Sequence, residues 1–162
     1  MKTFSIFFIL LCSTSVFAQS KLSAGVGINQ QFLKSDSGAS YEVFVSYRVH
    51  SDIAINLIGT VANMETDETN IKYNINKYAV VATYDFAKSE RVKLESIFGF
   101  SYVNFDDVLE LKKNDALGID LGVQTTFGLQ RKLNYGFKLV STYTHIAPGS
   151  LLSAGVFAKF NF

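Results

Sequence analysis

Apolar and polar residues alternate along most of this chain, and the last run shows the pattern most plainly. Leu152, Ala154, Val156, Ala158, Phe160 and Phe162 fall on one face, and Ser153, Gly155, Phe157, Lys159 and Asn161 on the other. A period of two marks a strand whose two sides meet different surroundings. The pattern recurs seven times upstream. The more apolar phases are Leu22, Ala24, Val26, Ile28; Tyr41, Val43, Val45, Tyr47, Val49; and Ile53, Ile55, Leu57, Val61. They continue as Tyr78, Val80, Ala82, Tyr84, Phe86; Val92, Leu94, Phe98, Phe100, Tyr102; Leu117, Ile119, Leu121, Val123, Phe127; and Leu133, Tyr135, Phe137, Leu139, Tyr143. None of these faces carries a charged residue.

The opposite phases hold the charges: Glu42, Arg48, Lys77, Asp85, Arg91, Lys93, Glu95, Asp120, Lys138 and Lys159, with Asn, Gln, Ser and Thr between them. Gly25, Gly27, Gly99, Gly118, Gly122, Gly128, Gly136 and Gly155 share that side, and Gly59 falls on the apolar one. Glycine was not used to choose the phase, so it is a partly independent check. The pattern predicts an all-β fold: an eight-stranded antiparallel up-and-down barrel with its apolar phases outward. An eight-stranded barrel is just wide enough inside for side chains to fill it. Glycines on the inner wall then make room for long charged residues. Phe44, Ile58, Ile97, Val140 and Phe157 are also inward, which predicts a filled interior.

The connections are expected to alternate in length. His50-Ser51-Asp52, Ala87 to Glu90 and Gln130-Arg131-Lys132 read as tight turns. Lys34 to Ala39, Asn63 to Asn76, Asp106 to Asp115 and His145 to Gly149 read as longer loops at the other end. Ile71, Tyr73 and Ile75 alternate in the phase opposite to Tyr78, which predicts either a bulge near Asn76 or a strand running on beyond the apolar band.

The first residues change the picture. Lys2, an apolar stretch from Phe4 to Leu11 and the small-residue site Val16-Phe17-Ala18 form a secretory signal peptide, residues 1–18, leaving 19–162 as one barrel domain. The apolar stretch is shorter than the roughly 20 residues a membrane-spanning helix needs. The single cysteine, Cys12, lies inside it after Leu11, unlike a lipoprotein site, so the mature chain has no thiol chemistry. A net charge of +1 and the lack of any basic run exclude a nucleic-acid partner. Each apolar face has about the 9–11 residues that a tilted strand needs to cross a bilayer, where a lipid-facing Lys or Arg would cost roughly 2–4 kcal/mol. Tyr47, Tyr84, Phe86, Phe127, Tyr135, Phe160 and Phe162 would lie near one rim, and Tyr41, Tyr102 and Tyr143 near the other, as two aromatic girdles.

On these residues the chain resembles small eight-stranded outer-membrane proteins, the OmpX/Ail group and the OmpA transmembrane domain. The resemblance spans the mature chain and is architectural, with no subfamily motif. It implies an integral protein of a Gram-negative outer membrane, in contact with lipid and lipopolysaccharide and without need of a second subunit. It also implies that Phe160 and Phe162 act as the assembly signal for the barrel-insertion machinery, with periplasmic chaperones in transit. A peptidoglycan-binding domain of the OmpA kind is not expected after the last strand. A soluble lipocalin-like barrel or a β-sandwich would put its polar face outward, opposite to the phases above.

Candidate chemistry is sparse. Lipid A deacylases and acyltransferases on such barrels use a Ser–His pair at the rim. The deacylase family resembles a His-x-Ser pattern, whereas this chain has His145-Ile146-Ala147, with Ser141 and Ser150 nearby. His50 sits beside Asp52 in a turn. Glu65, Asp67 and Glu68 match no calcium loop, and no phosphate-binding, dinucleotide or zinc spacing occurs. No catalytic site, metal or cofactor is expected. The inner charges carry more information: Asp85, Arg91 and Lys93 are expected to pair near one end, with Glu95, Lys138 and Lys159 as a layer above. Their role is structural, as a salt-bridged plug, or functional, as a narrow ion path in which Glu95, Asp120 and Lys138 matter. Val108, Leu109 and Leu111, apolar within a charged loop, are candidates for contact with a host or cell surface.

Overall fold

The computed structural model describes residues 21–67, 71–106, 114–129, 131–145 and 150–162. Residues 1–18, expected above to be a signal peptide, with Cys12, and Val108, Leu109 and Leu111, lie outside the described residues. Eight strands follow in order: β1 (Leu22–Leu33), β2 (Asp36–Arg48), β3 (Ile53–Glu65), β4 (Lys72–Lys88), β5 (Val92–Phe105), β6 (Asp115–Phe127), β7 (Leu133–Thr144) and β8 (Ser150–Asn161). Each pairs antiparallel with the next, and β8 returns to β1 through registers such as Ala24↔Phe160 and Ile28↔Val156, closing the barrel. Closure leaves no unpaired strand edge, so the ladder satisfies the backbone of every strand.

The inside and outside phases are those the alternation predicts. Tyr78 and Leu117 are 63% and 74% exposed on the outer wall. An apolar surface this continuous is stable only against an apolar medium. Tyr47, Tyr84, Tyr135, Phe160 and Phe162 point outward at the end where the described chain begins and finishes, here called the lower end. Phe127 stacks on Tyr135 at 5.7 Å, and Phe160 meets Phe162 edge to face at 5.4 Å.

The strand ends differ from expectation. Lys34 to Ala39 is not a long loop: β1 and β2 stay in register to Leu33↔Asp36, joined by Lys34, whose φ is 58°, and Ser35. Ser37, Gly38 and Ala39 pair with Glu65, Met64 and Asn63 of β3. Gly38 permits that pairing, because a Cβ there would sit 2.0 Å from the Asn63 carbonyl oxygen. The expected loop from Asn63 to Asn76 likewise shrinks, since Asn63↔Asn74 and Glu65↔Lys72 belong to the ladder. Small and polar residues read as loop, yet above the apolar band a paired strand has no need of apolar side chains. The alternation of long and short connections therefore fails at the first hairpin.

β4 runs for 17 residues without a bulge at Asn76, which pairs in register with Val61 and Asn104. The extended strand is the correct alternative, and it turns Tyr73 and Ile75 inward, where both are buried. The bulge lies instead between Asp85 and Ala87. Two further placements are corrected. Gly128 is not on the inner wall but in the β6–β7 turn, at φ 78°. Arg91 is not a lumen residue either: it is exposed in the β4–β5 turn, and its carbonyl accepts the Gly128 N–H at 3.1 Å. The even spacing that put both on the polar phase stops at the strand ends.

Candidate functional site: the layered lumen

Along β4 the inward side chains are Tyr73, Ile75, Lys77, Ala79, Val81, Thr83 and Asp85, and this strand sets out the whole interior: apolar, charged, apolar, charged. At the upper end Leu33, Ala62, Met64, Tyr73, Ile75, Val103, Phe105 and Leu151 form a buried apolar cap. Tyr73 donates its hydroxyl to Asp36 Oδ2 at 2.8 Å, fastening the cap to the first hairpin.

Below it lies the upper charged layer. Lys77 Nζ donates to Asp120 Oδ1 at 3.2 Å and to Thr142 Oγ1 at 2.9 Å, and Ser101 Oγ donates to the same carboxylate oxygen at 3.2 Å. Lys138 forms an ion pair with Glu42. All four charged groups are buried. Buried ions persist where they are both paired and hydrogen-bonded, and this layer has one carboxylate for each ammonium.

An apolar belt follows, made of Ala79, Val81, Ile97 and Val140 with Ile58 packed against them. Phe44 and Phe157 meet edge to face at 6.0 Å inside the barrel. Both rings lie over glycine: a Cβ on Gly25 would come 2.4 Å from the Phe44 ring, and one on Gly136 would come 2.6 Å from the Phe157 ring. The inner glycines thus make space for aromatic rings as well as for charges.

The lower charged layer is built on the bulge. Asp85 and Glu95 stand directly opposite one another in register, an arrangement that is unfavourable for like charges. Lys93 bridges them, donating to Asp85 Oδ1 at 3.1 Å and to Glu95 Oε1 at 2.6 Å. Gln124 and Thr126 donate to Glu95 Oε2 at 2.9 and 2.7 Å, and Glu95 is 1% exposed. Arg48 stands 3.8 Å from Asp85 Oδ2 at the lower mouth and donates to the Ser51 carbonyl at 2.8 Å.

The expected groupings are therefore redistributed. Arg48, not Arg91, joins Asp85 and Lys93. Glu95 belongs to that same lower layer, while Lys138 sits in the upper one with Glu42. Lys159 is buried near Lys93, Glu95, Arg48 and Asp85. Lys77 joins the network through Asp120, and its position on the inner phase was the signal for it. The apolar cap had a weaker signal, the reversed phase of Tyr73 and Ile75. One lumen cavity of about 30 Å³ lies between the charged layers and another of about 30 Å³ lies within the lower layer near its mouth, and each has room for about two waters.

Among the described residues a serine meets a histidine only in an exposed turn. Ser51 Oγ donates to Asp52 Oδ2 at 3.0 Å and lies 3.1 Å from His50 Nδ1, so its proton is directed to the carboxylate in an exposed turn. His145 is exposed at the end of β7, without a hydrogen bond to the described residues. Glu65 is exposed at the end of β3 and Asp67 in the turn after it, while Glu68 lies outside the described residues. No three metal-binding side chains converge among the described residues.

Known structures share the architecture. Neisserial surface protein A superposes with a TM-score of 0.60 at 16% identity, over 87% of this chain and 96% of that one. Ail, the attachment invasion locus protein of Yersinia pestis, gives 0.59 at 14%, over 88% and 99%. The outer membrane enzyme PagL gives 0.53 at 16%, over 88% and 99%. Identities this low speak to the fold alone. A search of curated proteins finds no sequence match. The family profile described as the outer membrane protein beta-barrel domain matches residues 4–160. With its closed eight-stranded wall and apolar outer face, the chain belongs to that outer-membrane β-barrel family.

Proposed function

We propose that this is a non-enzymatic integral protein of a Gram-negative outer membrane, a filled monomeric barrel whose upper loops serve surface interaction, adhesion or envelope integrity. The observation that carries this reading is the layered lumen. Two apolar layers separate and cap the charged ones, and the two lumen cavities described above are water-sized. In this reading lipid and lipopolysaccharide surround the wall, and Phe160 and Phe162 of β8 serve as the assembly signal during insertion. Val108, Leu109 and Leu111 supply the apolar contact to a host or cell surface. The name of Ail, an attachment and invasion protein, supports the adhesion class. PagL is an enzyme, but His145-Ile146-Ala147 stands here where a deacylase pattern would need His-x-Ser.

The second reading is a narrow ion path through the same lumen, favoured by charged layers at two heights. Single-channel recording of the refolded protein in a planar bilayer separates the two. A silent membrane containing folded, heat-modifiable protein supports the filled scaffold. Deleting residues 107–113 should then abolish surface binding while leaving the barrel folded. Discrete openings that change amplitude in Glu95→Ala would replace the scaffold reading with the channel.

A further inference from the structure

Three of the four carboxylate oxygens in the lower charged layer are already hydrogen-bonded, and Asp85 Oδ2 has no hydrogen-bond donor among the described residues. Lys93 takes one oxygen of each, Gln124 and Thr126 take the second oxygen of Glu95, and Arg48 approaches the second oxygen of Asp85. Lys159 is left with no hydrogen bond or ion pair among the described residues, although it is only 7% exposed. Glu95 and Asp85 offset its charge only at a distance, and an ammonium is costly to bury without direct partners, so Lys159 Nζ needs an acceptor other than these side chains.

The cavity beside it points to what that is. Of its charged lining residues, Lys21, Arg48, Lys93 and Lys159 are cationic and Glu95 is acidic; with Asp85, the ion-pair partner of Lys93 and Arg48, four cations stand against two carboxylates. The Ser23 and Ser46 side chains, both buried, complete its polar wall. The space is about 30 Å³, enough for one or two water-sized bodies. Arg48, with 35% of its side chain exposed, stands at the lower mouth and leaves a route from solvent.

We propose that this chamber binds a small monovalent inorganic anion of halide size, held chiefly by the Lys159 ammonium with hydroxyl donors from Ser23 and Ser46. Water alone would fill the volume but would leave the excess positive charge of the lining unbalanced. The upper layer offers no comparable site, because each of its ammonium groups already faces a carboxylate.

Crystals of the refolded protein equilibrated in sodium bromide and measured at the bromine absorption edge test the proposal directly. An anomalous peak within hydrogen-bond distance of Lys159 Nζ is expected. A chamber without a peak, in crystals that show bromide elsewhere, overturns it. In solution, the unfolding midpoint should rise saturably as chloride or bromide replaces gluconate at constant ionic strength. Lys159→Met should lose that rise, or Lys159→Gln should if the methionine variant does not fold. A halide effect that survives removal of the lysine charge overturns the assignment to this chamber.

Discussion

In the upper charged layer two cations meet two carboxylates, Lys138 with Glu42 and Lys77 with Asp120. In the lower layer Lys93 alone serves both Asp85 and Glu95, and Lys159 lies beside them without direct contact. Both layers sit on the inner phase of the same barrel and draw on the same residue types. They differ in register. The lower layer sets two carboxylates face to face across β4 and β5, so one ammonium must bridge them. The upper layer spreads its four groups over β2, β4, β6 and β7, and each finds its own partner. Buried charge in a lumen is thus organised by which positions the ladder brings opposite, not by the tally of acids and bases.

The contrast predicts unequal responses to the loss of a lysine. Lys138→Met strands Glu42 and should cost about 3–5 kcal/mol, read by circular dichroism during urea unfolding in detergent, since the chain lacks tryptophan. Adding Glu42→Gln should recover most of that loss, because removing both partners of a buried pair is far milder than removing one. If the double variant is as unstable as the single one, the pair is not what holds the upper layer together. The belt between the layers offers a different kind of test. Phe157→Ala should cost about 3–5 kcal/mol through the space it leaves, and it should make a silent bilayer conduct if that belt is the seal. Gly136→Ala pushes a methyl group toward the Phe157 ring and the Thr125 carbonyl, at about 1–3 kcal/mol for overpacking. The smallest effect belongs to Lys159→Met in halide-free buffer, within about 1 kcal/mol of the parent, because the change breaks no ion pair. A loss as large as that of Lys138→Met would mean the two layers are equivalent after all.

These layers were only partly legible in the alternation. That the charges face inward could be read strand by strand, and so could the filling role of Phe44, Ile97 and Phe157. The partners could not. Arg91 had the right parity but lies past the end of the strand, and Lys138 had the right parity at a height that only the pairing registers reveal. The upper cap was the least legible part. Leu33, Met64, Phe105 and Leu151 lie at strand ends, amid polar residues that resemble loop.

The sequence by itself determined the number of strands and which side of each faces out. Side-chain direction in a strand alternates residue by residue, and the outer and inner surroundings select opposite polarities at every position along the wall. Tertiary structure alone decided where the strands stop, which charges meet and which is left over. Those outcomes depend on the stagger between neighbouring strands, on the bulge at Asp85–Ala87 and on the reach of long side chains across a narrow barrel. None of these is a property of any single run of residues.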